Sequence, residues 1–444
     1  MLGIVAAMSY RLSSSVTVAQ TPSNPSVAVA MSGGIDSTVT ALLLKRQGFS
    51  ITGVFMRNWD NPDEAGDDHQ CPINQDFEDA KEVCARLGIA CLEVNFVKDY
   101  WNSVFMPFVE DYQSNARTPN PDVSCNSHIK FHKFREHVLY KLQFDCMATG
   151  HYVRATGHPP SLLRGRDLSK DQSYFLSTTA GQNFENVLFP IGHLTKQEVK
   201  QIAQEATELK GLRVLRKKES MGICFVGKRK MSEFLPQYFS PTPGRFIDID
   251  SGLVVGTHEG AELFTVGQKA KIGGAAQKYF IARKCVSTEE GDPFPKHHDA
   301  GEKFSSVSLR KGDVLVAAGA AHPSLQSNVL EASLDAFNWV AGKEPAGLSA
   351  DHVEKKVYQL QIRHLQKPKA CTISILPPRT RGDCSVLRLE LCAGGQGEGA
   401  AVEEPMLHAA TPGQIVAVYD GDTCLGGGPI WRALLYAKQQ MAAS

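Results

Sequence analysis

The sequence predicts an α/β protein whose doubly wound parallel sheet is followed by a small central domain and a C-terminal β-barrel. Apolar runs typical of buried strands alternate with helical patterns from Val27 to about Thr149. The texture changes near Met231, where several prolines and Gly244 break the chain into short strand-like runs. Beyond about Ser306 only short strands separated by turn residues follow, a pattern typical of a small barrel or sandwich.

The elements of the first domain follow from periodicity and breaker residues. We expect strands over 27–31, 51–56, 91–96 and 145–149 and helices over 76–87, 97–114, 126–142 and 195–209. We expect a leader over residues 1–26 and domains over 27–230, 231–305 and 306–444. No acidic residue precedes Asp36, and Arg11 is followed by three serines, which is typical of a mitochondrial transit peptide or of a disordered tail.

Composition excludes several classes of protein. The 444 residues carry 47 basic and 47 acidic side chains, so any polyanion has to be bound by a local patch. No apolar run approaches the roughly 20 residues that span a bilayer, and we expect no membrane association. The eleven cysteines form no CxxC pair and no convincing zinc spacing, which indicates a mostly reduced, intracellular protein without a structural metal.

A glycine loop at Ser32–Ser37 follows the first strand and precedes a helix-forming run. This order points unpaired backbone N–H groups at a bound anion, and the helix dipole adds to the attraction. Gly33 and Gly34 let the backbone approach phosphate oxygens closely, and Asp36, like the next two residues, suits a helix start. The loop lacks the lysine of the GxxxxGK[ST] motif, and the alternative is an ordinary serine/glycine turn.

The segment Asn120–Cys125 combines a carboxylate with a thiol. Pro119 and Pro121 stiffen the approach and fix Asp122 and Cys125 near the start of the next helix. A cysteine at a helix N-terminus has a stabilised thiolate and is a better nucleophile. The alternative is that Asp122 caps the helix and that Cys125 is a buried core thiol.

Two further segments carry candidate functional residues. Gly150 and His151 follow the fourth predicted strand, at the edge where ligands bind in such sheets, and Lys170–Gln172 comes next. Cys224 lies between two basic clusters, a setting that lowers a thiol pKa and favours sulfur exchange. The alternatives are solvated surface residues around His151 and a core cysteine at position 224.

These segments, taken in the order in which they occur in the chain, resemble the motifs of known protein families. The loop resembles the SGGxDS loop of the PP-loop ATP pyrophosphatases. The pairing of Asn-Pro-Asp-x-x-Cys-Asn at 120–126 with Gly-Ile-Cys-Phe at 222–225 resembles the tRNA-specific 2-thiouridylase family, bacterial and mitochondrial. The resemblance covers nearly the whole chain except the leader and the 392–405 loop, and includes 55–59, 149–152, 170–172, 264–268, 363–364, 411–414 and 425–428.

The resemblance implies a mechanism with ATP, accompanied by Mg²⁺, as the activating substrate. The C2 oxygen of the tRNA wobble uridine is adenylated with loss of pyrophosphate, and Asp122 handles protons. A persulfide on Cys224 supplies the sulfur, either directly or as hydrosulfide released by Cys125, and a Cys125–Cys224 disulfide results. A sulfur-donor protein of a cysteine desulfurase relay and a thiol reductant are the implied partners, and the implied compartment is the mitochondrion, otherwise the cytoplasm.

The resemblance also assigns binding residues. Nucleotide contacts are expected from Ala30, Met31, Ser32, Gly33, Gly34, Ile35, Asp36, Ser37, Met56 and Gly150. Contacts with tRNA are expected from Asn120, Pro121, Asp122, His151, Lys170, Asp171, Gln172, Arg363, His364 and Gln414. Two rival interpretations remain, an amide- or amidine-forming PP-loop ligase, which needs neither Cys125 nor Cys224, and a tRNA-binding scaffold without catalysis.

Overall fold

The structure is a computed structural model. It describes residues 25–59, 72–115, 117–217, 223, 225–226, 229–285, 309–346, 348, 356–378, 384–392 and 405–435. Residues 1–24 of the predicted leader, most of the 392–405 loop and Cys224 lie outside the described residues.

The first domain is built on a parallel sheet. Its strands, and a hairpin that leaves it, are β1 (Ser26–Met31), β2 (Ser50–Arg57), β3 (Cys91–Asn95), β4 (Cys146–Ala148), β5 (Val153–Thr156), β6 (Ser161–Arg164) and β7 (Val187–Leu188). Within the described residues the sheet order is β3-β2-β1-β4-β7, and every pairing is parallel. Val27, Ala28 and Val29 are fully buried because the sheet has a hydrophobic cluster on each face. The predicted doubly wound sheet is confirmed.

Helices cover this sheet. They are α1 (Ile35–Arg46), α2 (Pro72–Leu87), α3 (Val97–Tyr100, Trp101–Phe105 and Met106–Asn115 in succession), α4 (Pro121–Ser124, Cys125–Phe134 and His137–Lys141 in succession), α5 (Ser173–Leu176), α6 (Lys196–Glu205) and α7 (Met231–Phe234). Helix α4 starts five residues before the predicted start because Asn120 caps it and Pro121 fits its first turn. Helix α6 starts at a capping box formed by Thr195 and Glu198. No helix of the described residues has both the length and the apolar character to cross a membrane.

The central region has its own sheet. Its strands are β8 (Gly244–Asp248), β9 (Val254–His258), β10 (Lys269–Ala270), β11 (Tyr279–Lys284) and β12 (Val314–Ala318), in the order β10-β11-β12-β8-β9. Strand β12 pairs with both β11 and β8. The central sheet therefore extends beyond the domain boundary predicted at residue 305. The local sequence pattern of β12 does not show with which distant strands it pairs, so the prediction did not place it in this sheet.

The C-terminal region is a closed antiparallel barrel, as predicted. Its strands are β13 (Gln326–Ser327), β14 (Val329–Ser333), β15 (Asn338–Trp339), β16 (Tyr358–Gln361), β17 (Lys369–Leu376), β18 (Val386–Leu391), β19 (Leu407–His408), β20 (Ile415–Asp420) and β21 (Thr423–Leu434). The order β14-β18-β17-β16-β20-β21 closes through pairing of β14 with β21. Hairpin β5–β6 of the first domain adds to this sheet because β6 pairs with β21. The barrel is thereby joined to the first domain just after β4.

Candidate active site

The loop after β1 needs glycine for two reasons. Gly33 has φ +66°, in the left-handed region that favours glycine, and a Cβ there would overlap the carbonyl oxygen of Asp76 in α2. The loop is closed by its own serines: Ser32 N donates to Ser37 Oγ over 3.2 Å, and Ser37 Oγ donates to Gly34 O over 3.0 Å. The sequence therefore folds the loop tightly against α2 at the carboxyl edge of the sheet.

Asp36 has a different role from the one its position predicts. Gly34 is the N-cap of α1 and no side chain caps the helix, so Asp36 does not act as a cap. Its carboxylate instead accepts hydrogen bonds from the Tyr152 hydroxyl over 2.7 Å and from Lys196 Nζ over 2.7 and 2.8 Å. Lys196 is buried at the start of α6, so the pair is less screened than a surface ion pair. This contact ties the loop to α6 and to the segment after β4.

A second set of charges holds the other side of the loop. Lys217 Nζ donates to the Gly33 carbonyl over 3.1 Å and to Asp79 Oδ2 over 2.8 Å, and it also bonds Asp76. Burial opposes the charged form of Lys217, but the hydrogen bonds with the two aspartates outweigh it and raise the pKa of this lysine. Asp79 is buried and also accepts from Arg213 Nε over 2.7 Å. The basic cluster that the sequence placed near Cys224 thus partly braces the loop.

The remaining predicted nucleotide residues surround this loop. A Cβ on Gly150 would lie 2.9 Å from the carbonyl carbon of Asp36 and from Ser37 N, so the end of β4 packs directly on the start of α1. Ala30 and Met31 end β1, and the partly buried Met56 lies near the end of β2. The structure therefore brings the predicted nucleotide contacts to one edge of the sheet.

The start of α4 presents Asp122 and Cys125. Asn120 Oδ1 accepts from Asp122 N over 3.1 Å, which leaves the Asp122 carboxylate available because Asn120 is the cap. Burial raises the pKa of Asp122, and the positive charge of Lys130, together with that of His364 whenever its imidazole is protonated, acts in the opposite direction. Residues three apart share a helix face, so Asp122 and Cys125 lie side by side.

Two histidines lie near α4: His364 interacts electrostatically with Asp122, and His151 packs on Phe131. His151 Nδ1 is 3.0 Å from Thr149 Oγ1, and burial together with the charge of Lys130 lowers the pKa of His151 to about 3. His364 Nε2 is 2.9 Å from the Asp171 carbonyl oxygen, and burial lowers its pKa as well. Both imidazoles are therefore neutral at pH 7 and can serve as hydrogen-bonding groups without adding charge.

The Lys170–Gln172 segment is largely bound inside the fold. Asp171 is buried, and its carboxylate accepts from Arg164 over 3.0 Å, Gly165 N over 2.9 Å and the Ser173 hydroxyl over 2.8 Å. Gln172 Oε1 accepts from Tyr152 N over 2.9 Å. These contacts place Asp171 and Gln172 as supports of the site, and their predicted contact with tRNA stays a prediction.

The C-terminal barrel reaches the same site. Thr118 N donates to Pro412 O over 3.1 Å, and a Cβ on Gly413 would lie 2.7 Å from Arg117 Cβ. Arg363 donates to Ala409 O over 2.7 Å, and among the described residues the buried Oε1 atom of Gln414 has no hydrogen-bond partner. The barrel thus positions the approach to Asn120, and Gln414 retains an unused acceptor.

Cys125 lies in an aromatic core. It is 4% exposed and belongs to the same buried cluster as Phe225 and Val226, the residues that follow Cys224 in the sequence. The Phe225 ring centroid is 5.1 Å from that of Phe105, 5.2 Å from Phe108 and 5.5 Å from Phe234. This aromatic packing fixes the chain immediately after Cys224 within the core that holds Cys125.

Several residues that shape the site have no motif of their own. Lys196, Asp76 and Asp79 brace the loop, yet each looks like an ordinary helix residue in the sequence. Tyr152 and Lys217 lie in the 149–152 segment and the basic cluster that the sequence singled out, but neither pattern indicated a contact with the loop. Only the capping box before Lys196 marks its helix start, and nothing local indicates its partner. No group of three or more His, Cys, Asp or Glu side chains in the described part of the chain is arranged to bind a metal ion.

Comparison with known proteins identifies the family. Family models match residues 25–228 (tRNA methyl transferase HUP domain), 232–290 (tRNA methyl transferase PRC-barrel domain) and 403–430 (Aminomethyltransferase beta-barrel domain). A Halalkalibacterium halodurans protein named tRNA-specific 2-thiouridylase MnmA is 40% identical, covering 96% of this chain and all of its own. The chain belongs to the tRNA-specific 2-thiouridylase family.

Eukaryotic 2-thiouridylases match almost as well. Mitochondrial tRNA-specific 2-thiouridylase 1 of Danio rerio is 38% identical over 91% of both chains. The Homo sapiens protein of that name is 37% identical over 91% of this chain and 90% of its own. The chain therefore covers at least 90% of the length of these relatives. The three matched models follow the order of its parallel sheet, central sheet and barrel.

Proposed function

We propose that this chain is an ATP-dependent tRNA 2-thiouridylase that replaces the C2 oxygen of a wobble uridine by sulfur. One observation carries the proposal. Asp122 and Cys125 are three residues apart at the start of α4, and His364 interacts electrostatically with the Asp122 carboxylate. His151 packs on Phe131 of α4, and Gly150, next to His151, packs on the glycine loop. A carboxylate, a thiol and an anion-binding loop at one sheet edge fit a reaction that activates an oxygen and then displaces it by sulfur.

ATP binds at the Ser32–Ser37 loop in this proposal. Backbone N–H groups at the start of α1 provide positive potential for the phosphates, and Lys196 and Lys217 offset the negative charges of the aspartates beside the loop. Gly33 and Gly150 keep side chains out of the space around the loop. Mg²⁺ would accompany the nucleotide, since its preferred ligands are phosphate and carboxylate oxygens, and would neutralise phosphate charge.

The uridine is proposed to enter from the α4 side after leaving the stack of the anticodon loop. Its C2 oxygen attacks the α-phosphorus of ATP and pyrophosphate leaves, which converts that oxygen into part of an AMP leaving group. Asp122 exchanges the proton of the base, a role that suits a carboxylate whose pKa is raised by burial. The neutral His151 and His364 and the unused Gln414 acceptor are proposed to hydrogen-bond the RNA.

Sulfur arrives on Cys224 as a persulfide from a donor protein. In one route its outer sulfur attacks C2 and expels AMP, and the Cys125 thiolate then attacks the Cys224 sulfur, which breaks the S–S bond and releases the thiouridine. In the other route Cys125 attacks Cys224 first, and the released hydrosulfide attacks C2 and expels AMP. Both routes end in a Cys125–Cys224 disulfide that an external thiol must reduce. Phe225, the residue after Cys224, packs on Phe105 and Phe108 in the buried cluster that also contains Cys125, which is compatible with this pairing.

The proposed location is the mitochondrion. Eukaryotic relatives carry that word in their names, and the residues before Asp36 are free of acidic side chains. Fusion of residues 1–26 to a fluorescent reporter tests this location, and an entirely cytosolic signal would refute it.

Nucleoside mass spectrometry of tRNA tests the reaction. The purified chain with ATP, undermodified tRNA and a persulfide donor is expected to form 2-thiouridine, and Cys224→Ser is expected to abolish it while pyrophosphate exchange continues. Cys285→Ser, in the central region, is the matched control and retains thiolation. A methylated nucleoside, or full thiolation by Cys224→Ser, would refute the proposal.

A further inference from the structure

We propose that Cys84 and Cys91 are a second redox-active dithiol, which a small disulfide oxidises reversibly to a Cys84–Cys91 disulfide. The pair lies at the far end of α2 from Asp76 and Asp79, at its junction with β3. It belongs to the hydrophobic cluster on the face of the sheet opposite Cys125. The site is therefore separate from the Cys125–Cys224 chemistry and does not depend on the proposed function.

Strand register places the two sulfur atoms together. Cys91 is the partner of Gly53 in the parallel pairing of β2 with β3, so the side-chain positions of the two residues project to the same face. A Cβ on Gly53 would overlap the Cys84 sulfur. The Cys84 sulfur thus fills the space of the missing Gly53 side chain, next to Cys91 on the same face of the sheet. The two thiols shift each other's pKa in opposite directions, as neighbouring thiols do.

The backbone holds both cysteines in place. Helix α2 ends at Gly88, which has φ +61°, and Ile89 N donates back to Cys84 O over 3.0 Å. Gly53 N then donates to Ala90 O over 2.9 Å and fixes the start of β3. A disulfide therefore joins two neighbouring, already ordered segments.

The two thiols differ in exposure and acidity, which assigns their roles. Cys84 is 1% exposed, whereas Cys91 is partly exposed. The hydrogen bond from Cys84 lowers the pKa of Cys91, helped by the charge of Lys81 and opposed by burial and by Glu93. The same contact, burial and the charge on Cys91 raise the pKa of Cys84. Cys91 is thus the attacking thiol and Cys84 the resolving one.

The chemistry balances with one external disulfide. The Cys91 thiolate attacks RSSR, forms a Cys91–S–S–R bond and releases RS⁻. Cys84 loses its proton to the released thiolate and attacks the Cys91 sulfur, which expels the second RS⁻. Two protein thiols are oxidised, one small disulfide is reduced to two thiols, and excess reductant reverses both steps.

Tryptic mapping of the full native chain tests the pair directly. Cleavage after Lys81, Arg86 and Lys98 puts Cys84 and Cys91 on separate peptides with one cysteine each. After treatment with oxidised glutathione and alkylation, we expect a linked 82–86/87–98 species and loss of alkylation on both peptides. Dithiothreitol is expected to restore both alkylated peptides.

Variants separate the two roles. Cys84→Ser should leave a lasting glutathione adduct on Cys91, and Cys91→Ser should leave Cys84 unmodified and reduced in the folded chain. Cys146→Ser, a buried cysteine in β4, is the matched control and should keep the linked species. A stable glutathione adduct on Cys91 in the unaltered chain, or full alkylation of both cysteines after oxidation, would overturn the proposal.

Discussion

The glycine loop and the start of α4 lie at one edge of the sheet but are held by different forces. Charged side chains of the first domain, Lys196 and Lys217, hold the loop through Asp36, Asp76 and Asp79. Backbone groups of another domain hold the approach to α4, through the Thr118–Pro412 hydrogen bond and the close contact at Gly413. The first arrangement depends on charge and the second on the absence of a side chain.

This difference separates nucleotide use from RNA use. The ionic contacts of the loop do not involve the barrel, so damage to the barrel should leave ATP binding intact. The contacts of Arg117 and Thr118 do involve the barrel, so their loss should move Asn120 and Asp122 while the loop stays closed. Variants that alter one set of contacts at a time test whether the two regions are held independently.

Removing the charge of Lys196 is expected to have the largest effect. Lys196→Met leaves the carboxylate of Asp36 without its ionic partner. The Asp36 side chain is 32% exposed. Removing one partner of a buried ion pair costs about 3–5 kcal/mol of stability, and the partial exposure of Asp36 reduces this to about 2–3 kcal/mol. Because the pair holds the loop in the form that binds ATP, we expect a loss of this size in the free energy of nucleotide binding. We expect kcat/KM for ATP, measured by pyrophosphate release, to fall roughly 30- to 150-fold.

Tyr152→Phe is the graded companion of this variant. It removes one hydrogen bond to Asp36 and keeps the aromatic ring. The free energy lost, measured from kcat/KM for ATP, should therefore be about 1.5 kcal/mol or less. Lys230→Met, which removes an exposed ion pair with Glu233, is the matched control and should leave ATP use unchanged. Equal activity of Lys196→Met and Lys230→Met would show that charge does not hold the loop.

A single methyl group at Gly413 is expected to have an intermediate effect. Its Cβ would lie 2.7 Å from Arg117 Cβ, and the φ of +85° is strained for alanine. Gly413→Ala should lower the free energy of unfolding by about 2 kcal/mol and reduce tRNA thiolation, with the Kd for ATP unchanged by calorimetry.

Gly421→Ala controls for backbone strain alone. Gly421 also has a positive φ, +57°, but a Cβ there meets nothing within 4 Å. This variant should be strained yet keep tRNA thiolation, because it does not displace Arg117. If both alanine variants lose thiolation equally, the close contact with Arg117 does not position α4.

Features of the fold that depend on neighbouring residues could be predicted from the sequence. The alternation of strands and helices and the glycine loop follow from periodicity and backbone freedom, and the structure agrees. The helix start at Asn120 and Pro121 was missed by five residues, although the signals for it are local, since capping and a fixed proline φ act over a few residues. These features need no information about the rest of the chain.

Partner choice across the chain was not predictable in this way. Asp36 suits a helix cap by type, but a buried ammonium from α6 and a phenol after β4 compete for its carboxylate. Strand β12 joins the central sheet and hairpin β5–β6 joins the barrel, although both look like ordinary strands of their neighbourhoods. Such contacts depend on which surfaces meet after folding, which a single sequence does not display.

The smallest expected effect concerns His151, which lies between the loop and α4. Its pKa is lowered to about 3 by burial and by Lys130, whereas unfolded histidine titrates near 6.5. Between these values the unfolded chain binds more protons, so this residue makes stability fall as pH decreases through that window. His151→Asn, which retains a polar group near Thr149, should reduce the loss of unfolding free energy between pH 7 and pH 6 by about 0.7 kcal/mol. Urea unfolding at both pH values measures this difference. Parallel pH profiles for the two proteins would show that His151 has the same pKa in the folded and the unfolded chain, as a histidine open to solvent would.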